Sequence, residues 1–211
     1  SACLVGSEMC IRDSRETGDS LDIENQYIMS PRDLKTIGFL DRMVDAGVTV
    51  FKIEGRARGP EYVMTVVSAY DEALRAICDG TFTPERIAAW DENLTKVFNR
   101  GFWNGYYLGQ RLGEWSEKYG SSATRTKRYA AKAVRYYPRL GVGEFMLEAG
   151  ELRPGDEIVI TGPKTGAIIT TVEQVRLDRD PVEKAIKGQA FSIPVPEKVR
   201  PGDRLYIWDK K

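Results

Sequence analysis

The stretch Val48-Thr49-Val50-Phe51-Lys52-Ile53-Glu54-Gly55-Arg56-Ala57-Arg58-Gly59-Pro60-Glu61-Tyr62 decides how the chain reads. Val48, Val50, Phe51 and Ile53 are apolar or β-branched with little alternation, the pattern of a parallel strand covered on both faces. Pro60 fits the first position of a helix, where its missing N–H has no intrahelical partner to lose. The expectation is a buried strand, a charged turn and a helix start. In α/β folds, ligands gather where the carboxyl ends of strands meet helix N-termini. Lys52, Glu54, Arg56 and Arg58 would stand together there, with Glu61 and Tyr62 just beyond. Glu54 is a candidate general base or orienting group, and Arg56 a candidate fork for a carboxylate. Lys52 completes the candidate catalytic set, while Arg58, Glu61, Tyr62 and the more distant Arg100 are candidates for holding substrate. A set of ion pairs on a solvated rim would look the same in sequence, so both readings stand.

Upstream, Tyr27-Ile28-Met29 suits a short strand. Ser30-Pro31-Arg32-Asp33 has the chemistry of a helix start, with Ser30 as N-cap and Asp33 facing the positive end of the dipole. Leu34, Ile37, Leu40, Met43 and Val44 keep helical spacing, and Gly47 suits the left-handed cap. Arg15 to Gln26 reads as polar loop. Downstream of Pro60, Val63, Val66, Val67, Tyr70, Ala73, Leu74 and Ile77 predict a helix that Asp79-Gly80 ends, with Cys78 half-buried near its close. Thr83-Pro84 starts another, with Ile87, Trp90, Leu94 and Val97 on one face, running to about Asn99-Arg100-Gly101. The following Phe102, Trp103, Tyr106 and Tyr107, spaced by glycines, either stack on a ring-shaped ligand beside Arg100 or pack a loop against the core.

From Tyr129 the period changes. Ala131–Tyr137 alternates, and Val142–Leu147, Glu157–Ile160, Ala167–Val175, Gln189–Val195 and Arg204–Trp208 bring the set to about six short strands with Gly/Pro turns, as in a small closed barrel. Leu152-Arg153-Pro154-Gly155-Asp156 and Val199-Arg200-Pro201-Gly202-Asp203 repeat one turn chemistry ahead of an apolar strand.

The chain has 211 residues, 31 basic and 31 acidic, and no histidine. Zero net charge gives no general attraction to nucleic acid or membranes. Without histidine, Ser-His-Asp and Cys-His catalysis and histidine-ligated zinc have no residues to use within this chain. Three cysteines, Cys3, Cys10 and Cys78, are too few and too far apart for a disulfide framework or, without further partners, a metal site. The expectation is a cytoplasmic protein with no membrane partner. Residues 1–14 (SACLVGSEMCIRDS) lack a clear period and read like translated adapter sequence rather than native protein, with Cys3 and Cys10 then carrying no role. One covered parallel strand needs neighbours on both sides, so residues 15–125 are expected to be the end of a larger α/β domain.

Four motifs carry a resemblance: Tyr27-Ile28-Met29-Ser30-Pro31-Arg32-Asp33-Leu34, Phe51-Lys52-Ile53-Glu54-Gly55-Arg56, Pro60-Glu61-Tyr62-Val63 and Phe98-Asn99-Arg100-Gly101-Phe102. In this order they resemble the peptidase U32 family, the bacterial collagenase-like proteins, over residues 20–209. The resemblance implies an α/β plus all-β fold: the C-terminal part of a TIM-like barrel over 15–125, then over 126–211 a small β-barrel similar to the second domain of elongation factors. It implies a peptidase or collagenase-like hydrolase acting on peptide or protein. The alternative it carries is an RNA hydroxylation factor, for tRNA or ribosomal RNA, using prephenate and an iron–sulfur cluster. The family's cluster cysteines lie upstream, and Lys35 stands where some members carry another. No cofactor is therefore expected in this chain, although a full-length parent could hold a cluster. As a binding module the barrel would dock RNA or protein, with Lys127, Arg128, Lys132, Arg135 and Arg139 on phosphates; a solvated strand face is the plainer reading of that cluster.

Overall fold

The computed structural model describes residues 11–14, 20–23, 30–111, 113–116 and 120–211. Cys3, Cys10 and the strand expected at Tyr27–Met29 lie outside them. Two compact units share the chain: residues 1–36 with 99–122, and residues 37–98 with 123–211.

In the first unit, β1 (Ile11–Ser14) pairs antiparallel with β2 (Ser20–Ile23), so the polar loop expected from Arg15 contains a strand. β3 (Asp33–Leu34) pairs parallel with β4 (Phe102–Trp103). The helix expected from Ser30 does not start there. The N–H groups of Arg32, Asp33 and Lys35 go instead to the carbonyls of Glu114, Gly101 and Trp103, at 3.0, 2.8 and 2.9 Å. A β-like backbone held from two sides outcompetes a cap that local sequence alone would favour.

In the second unit a 3-10 turn, Ile37–Phe39, leads into α1 (Leu40–Asp45), and Gly47 takes φ +86° after it. The Val48 strand does not form. Residues 48–55 carry no strand ladder, and Val50 is 82% exposed. A parallel strand exists only through hydrogen bonds to its neighbours, and among the described residues no segment supplies them here.

α2 (Pro60–Cys78) has Gly59 as N-cap and Pro60 at N1, as its sequence requires. Its buried residues are Val66, Ala69, Ala73 and Ala76, so Val66 and Ala73 of the expected face are buried, while Val63 and Val67 are exposed. Alanines on the buried face let the helix backbone lie close to its neighbours. Cys78, at its end, is exposed rather than half-buried. α3 (Pro84–Lys96) is capped by the Thr83 hydroxyl, which accepts the Arg86 N–H at 3.4 Å, and it buries Trp90 and Leu94. The Trp90 indole N–H donates to Glu72 of α2 at 2.9 Å, tying the two helices.

The remaining strands are β5 (Arg125–Tyr137), β6 (Val142–Leu147), β7 (Glu151–Leu152), β8 (Glu157–Gly162), β9 (Gly166–Thr171), β10 (Val175–Leu177), β11 (Asp180–Val182), β12 (Ala185–Ile186), β13 (Ala190–Pro194) and β14 (Arg204–Lys210). Eight of them make one antiparallel sheet in the order β11-β10-β13-β6-β5-β14-β8-β9, while β7 pairs with β12. Flat, such a sheet would separate its outer strands by roughly 30 Å. Yet Val175 of β10 and Ile168 of β9 belong to one buried cluster with Phe145, Phe191 and Leu205, so the sheet curls round a single core as a barrel does. Its end strands are not hydrogen-bonded to each other. The β9 edge is packed by α2, and the β11 edge is blunted by Asp180 and Pro181. The segment expected as one strand from Ala167 to Val175 is broken into β9 and β10.

Candidate functional site

The candidate residues cluster at the start of α2, though not all of them converge. Lys52, Glu54 and Arg56 are exposed. Glu54 Oε1 accepts the backbone N–H of Arg56 at 2.6 Å, and Arg58 N–H reaches the Gly55 carbonyl at 3.0 Å, closing a turn in which Ala57 holds φ +57°. Glu54 thus shapes the loop that presents the cations. A left-handed alanine is unfavourable by roughly 1–2 kcal/mol and persists only where surrounding bonds over-determine it.

Arg58 is drawn inward. Its guanidinium carbon lies 4.0 Å from the Phe98 ring centroid and 5.5 Å from that of Tyr62. Tyr62, in the first turn of α2, packs against Val97, Val159 and Trp208, so the seat is anchored to both helix and sheet. Stacking on aromatic faces orients the planar fork.

Glu61 turns the other way. Its carboxylate folds back over Gly59, where any Cβ would collide with it, and Oε1 meets Lys127 Nζ at 2.7 Å. Oε2 is buried with no hydrogen-bond partner among the described residues. Lys127 Nζ lies 5.1 Å from the Tyr206 ring, and Tyr206 meets Tyr129 edge-on at 5.6 Å. The Tyr129 hydroxyl donates to Glu148 at 2.5 Å. Loss of water around that hydroxyl, then the Glu148 carboxylate, push the Tyr129 phenol up to about 12. Glu61 and Tyr62 therefore line a row of paired groups that runs from helix to sheet.

Arg100 belongs to the first unit. Its backbone N–H donates to Asp33 Oδ2 at 3.0 Å, and its Nε and Nη2 reach Oδ1 at 3.3 and 3.0 Å. It clamps β3 to the turn before β4, which is a structural task. Asp33 is the residue that had been expected to face a helix dipole. Nearby, Trp103 packs edge-on against Tyr106 at 5.1 Å, while Tyr106 and Tyr107 are 62% and 60% exposed, so the aromatic run divides between packing and surface.

Phe98, Lys127 and Tyr206 were not singled out for this site by sequence. Lys127 was visible only as one member of a cationic run, and nothing in spacing links residues 61, 127 and 206. Among the described residues no group of three or more His, Cys, Asp or Glu side chains could hold a metal ion, and the exposed Cys78 stands alone. The described residues therefore do not fit an iron–sulfur cluster. No helix among them is long and apolar enough to cross a membrane.

Fold and site together define a helical segment seated on a curled antiparallel sheet, presenting basic side chains and no nucleophile–base pair with histidine. Residues 2–117 match the profile of peptidase family U32, and the chain belongs to that family. It is 64% identical over 197 residues to a collagenase of Porphyromonas gingivalis, covering 93% of this chain and 48% of that protein. It is 30% identical over 152 residues to tRNA hydroxylation protein P1 of Bacillus subtilis, covering 71% of this chain and 35% of that protein. The chain thus spans about half the length of the collagenase it matches. Among solved structures, the C-terminal domain of a Geobacillus thermoleovorans U32 protein aligns over 37% of this chain and 98% of that chain, at 20% identity and a TM-score of 0.36.

Proposed function

We propose that this chain is the substrate-binding part of a U32 peptidase-like hydrolase, and that Arg58, with Arg56 and Lys52 beside it, receives a carboxylate of a peptide substrate. The observation that carries the reading is the seat of Arg58, 4.0 Å over Phe98 and 5.5 Å from Tyr62 at the N-terminus of α2. A stacked guanidinium is oriented before ligand arrives, and its fork geometry matches a carboxylate. Arg56 and Lys52, exposed on the same loop, add charge without competing for that position. Glu54 keeps the loop turned through the Arg56 N–H and remains available on its other oxygen to orient a water or an amine. The collagenase relative supports peptide over other substrates.

The test is binding of a collagen-type peptide by the full chain, as the free acid and as the C-terminal amide. The free acid is expected to bind at least about tenfold tighter, as a charge-assisted bidentate pair of about 1.5–3 kcal/mol allows. Arg58→Gln removes that preference, and Arg56→Gln lowers it. Equal binding of acid and amide refutes the reading.

A second reading, an RNA hydroxylation factor, draws on the relative named for tRNA hydroxylation. It predicts that tRNA, rather than peptide, competes for the Arg58 loop. The described residues do not supply ligands for a metal cluster.

A further inference from the structure

The outward face of the sheet carries a feature that the α2 site does not use. Register places Arg135, Glu144, Ser192 and Arg176 in one row across β5, β6, β13 and β10. Tyr137, Val142 and Pro194 form the row beside it. The alternate residues Phe145, Phe191 and Ile193 are buried in the core, so both rows face outward. All residues of the two rows except Arg135 line a groove of about 810 Å³, together with Leu140, Asp178 and Arg179. Leu140, in the β5–β6 turn next to Arg139, is 74% exposed. Lys132 stands opposite Met146 on the same face.

Three cations of β5 turned elsewhere are paired: Arg125 with Glu157, Lys127 with Glu61 and Arg128 with Asp209. Lys132, Arg135, Arg139, Arg176 and Arg179 are different. None has a carboxylate within ion-pair distance among the described residues. Glu144, the acid within the row, accepts the Tyr137 hydroxyl at 2.8 Å, and Arg176 Nε donates to Gln174 at 2.8 Å. Arg176 and Arg179 line the groove with the carboxylates of Glu144 and Asp178, and the unpaired Arg135 of the same row, Lys132 and Arg139 give the surrounding face its excess of positive charge.

We propose that this groove binds an acidic peptide segment of a partner protein, with aliphatic side chains in the groove and carboxylates on the arginines. Guanidinium forks take carboxylates in bidentate geometry. A groove of this volume accommodates several side chains. Single-stranded nucleic acid, the other polyanion to weigh, needs exposed rings on which bases stack. Here the lining includes Leu140, Val142 and Pro194, and of its two rings Phe191 is buried while the Tyr137 hydroxyl is tied to Glu144. The inference is independent of the Arg58 reading and concerns a separate surface.

The experiment is fluorescence anisotropy of the full chain with a labelled twelve-residue peptide of alternating Glu and Leu. Its C-terminus is amidated so that no terminal carboxylate reports on Arg58. Binding is expected, and Arg135→Gln with Arg176→Gln weakens it by about tenfold or more. Leu140→Ser weakens it severalfold, and Lys164→Gln, on a distant turn, leaves it unchanged. If the double variant melts lower than the parent, Arg179→Gln and Leu140→Ser carry the test. The inference is overturned if the Gln-for-Glu peptide binds equally well, if the arginine variants change nothing, or if an oligouridine binds more tightly and shows the same dependence on Arg135 and Arg176.

Discussion

Glu61 is the second residue of a helix, where a carboxylate favours the positive end of the dipole. The structure adds a specific partner: Lys127 lies 2.7 Å away, and the Glu61 side chain is only 13% exposed. Removing the cation would leave a buried carboxylate uncompensated. Lys127→Met is expected to destabilise by about 2 kcal/mol, seen as a Tm lower by roughly 4–8 °C. An unchanged Tm would mean that the pair contributes nothing. Tyr129 offers a second check. Its phenol is raised to about 12, so any stability it supplies is fully present below about pH 10, where the free phenol titrates, and is lost as pH climbs towards 12. In phenolate absorbance, Tyr129→Phe should delete a tyrosine titrating near 12, and Glu148→Gln should bring that midpoint down. Loss of a tyrosine with a midpoint near 10 would contradict the Tyr129–Glu148 arrangement.

At the scale of elements, the two Arg-Pro-Gly-Asp turns show local sequence acting almost alone. In each, the Asp carboxylate accepts the Arg N–H at 2.8 Å, and the Asp N–H reaches the Arg carbonyl, at 3.2 Å in the first and 3.0 Å in the second. The glycines hold φ +94° and +92°, which Pro-Gly turns of this kind require. The Gly155 and Gly202 N–H groups then join the Val172 and Ala133 carbonyls, at 2.8 and 2.9 Å. The copies diverge where tertiary packing enters. Asp203 is buried and also accepts the Thr165 hydroxyl at 2.6 Å, close against Gly162. A Cβ at Gly162 would overlap the Asp203 carboxylate. Gly162→Ala is therefore expected to cost about 1–3 kcal/mol, measured by denaturant midpoint, whereas Gly155→Ala meets only backbone strain. Helix α2 teaches the opposite lesson. Its helical period was plain, but which stripe is buried depended on a close neighbour. Ala73→Leu, at a fully buried position, should destabilise by about 1–3 kcal/mol, while Val67→Ala, half-exposed, should be nearly neutral.

At the scale of the whole molecule, the first unit depends on a clamp between distant segments. Arg100→Ala removes the two side-chain contacts to Asp33 and leaves the backbone one, so amide exchange should quicken at residues 31–35 and 101–103 while the β5–β14 strands stay protected. Unchanged exchange would return Arg100 to the pool of ligand-binding candidates. The sequence by itself determined the helix starts at Pro60 and Pro84, the change from helical to strand periodicity near Tyr129, and the two Pro-Gly turns. Each rests on backbone chemistry within a few residues. Tertiary structure alone decided the rest. It withheld a strand from Val48–Ile53, because a ladder needs neighbours. It turned Asp33 from helix cap to Arg100 partner, because two carbonyl rows already held the backbone extended. It also divided the cationic run of β5, sending Lys127 and Arg128 to acids and leaving Lys132 and Arg135 on the outward face that Arg176 shares. Strand register joins residues some forty positions apart, and no spacing in a linear chain encodes that.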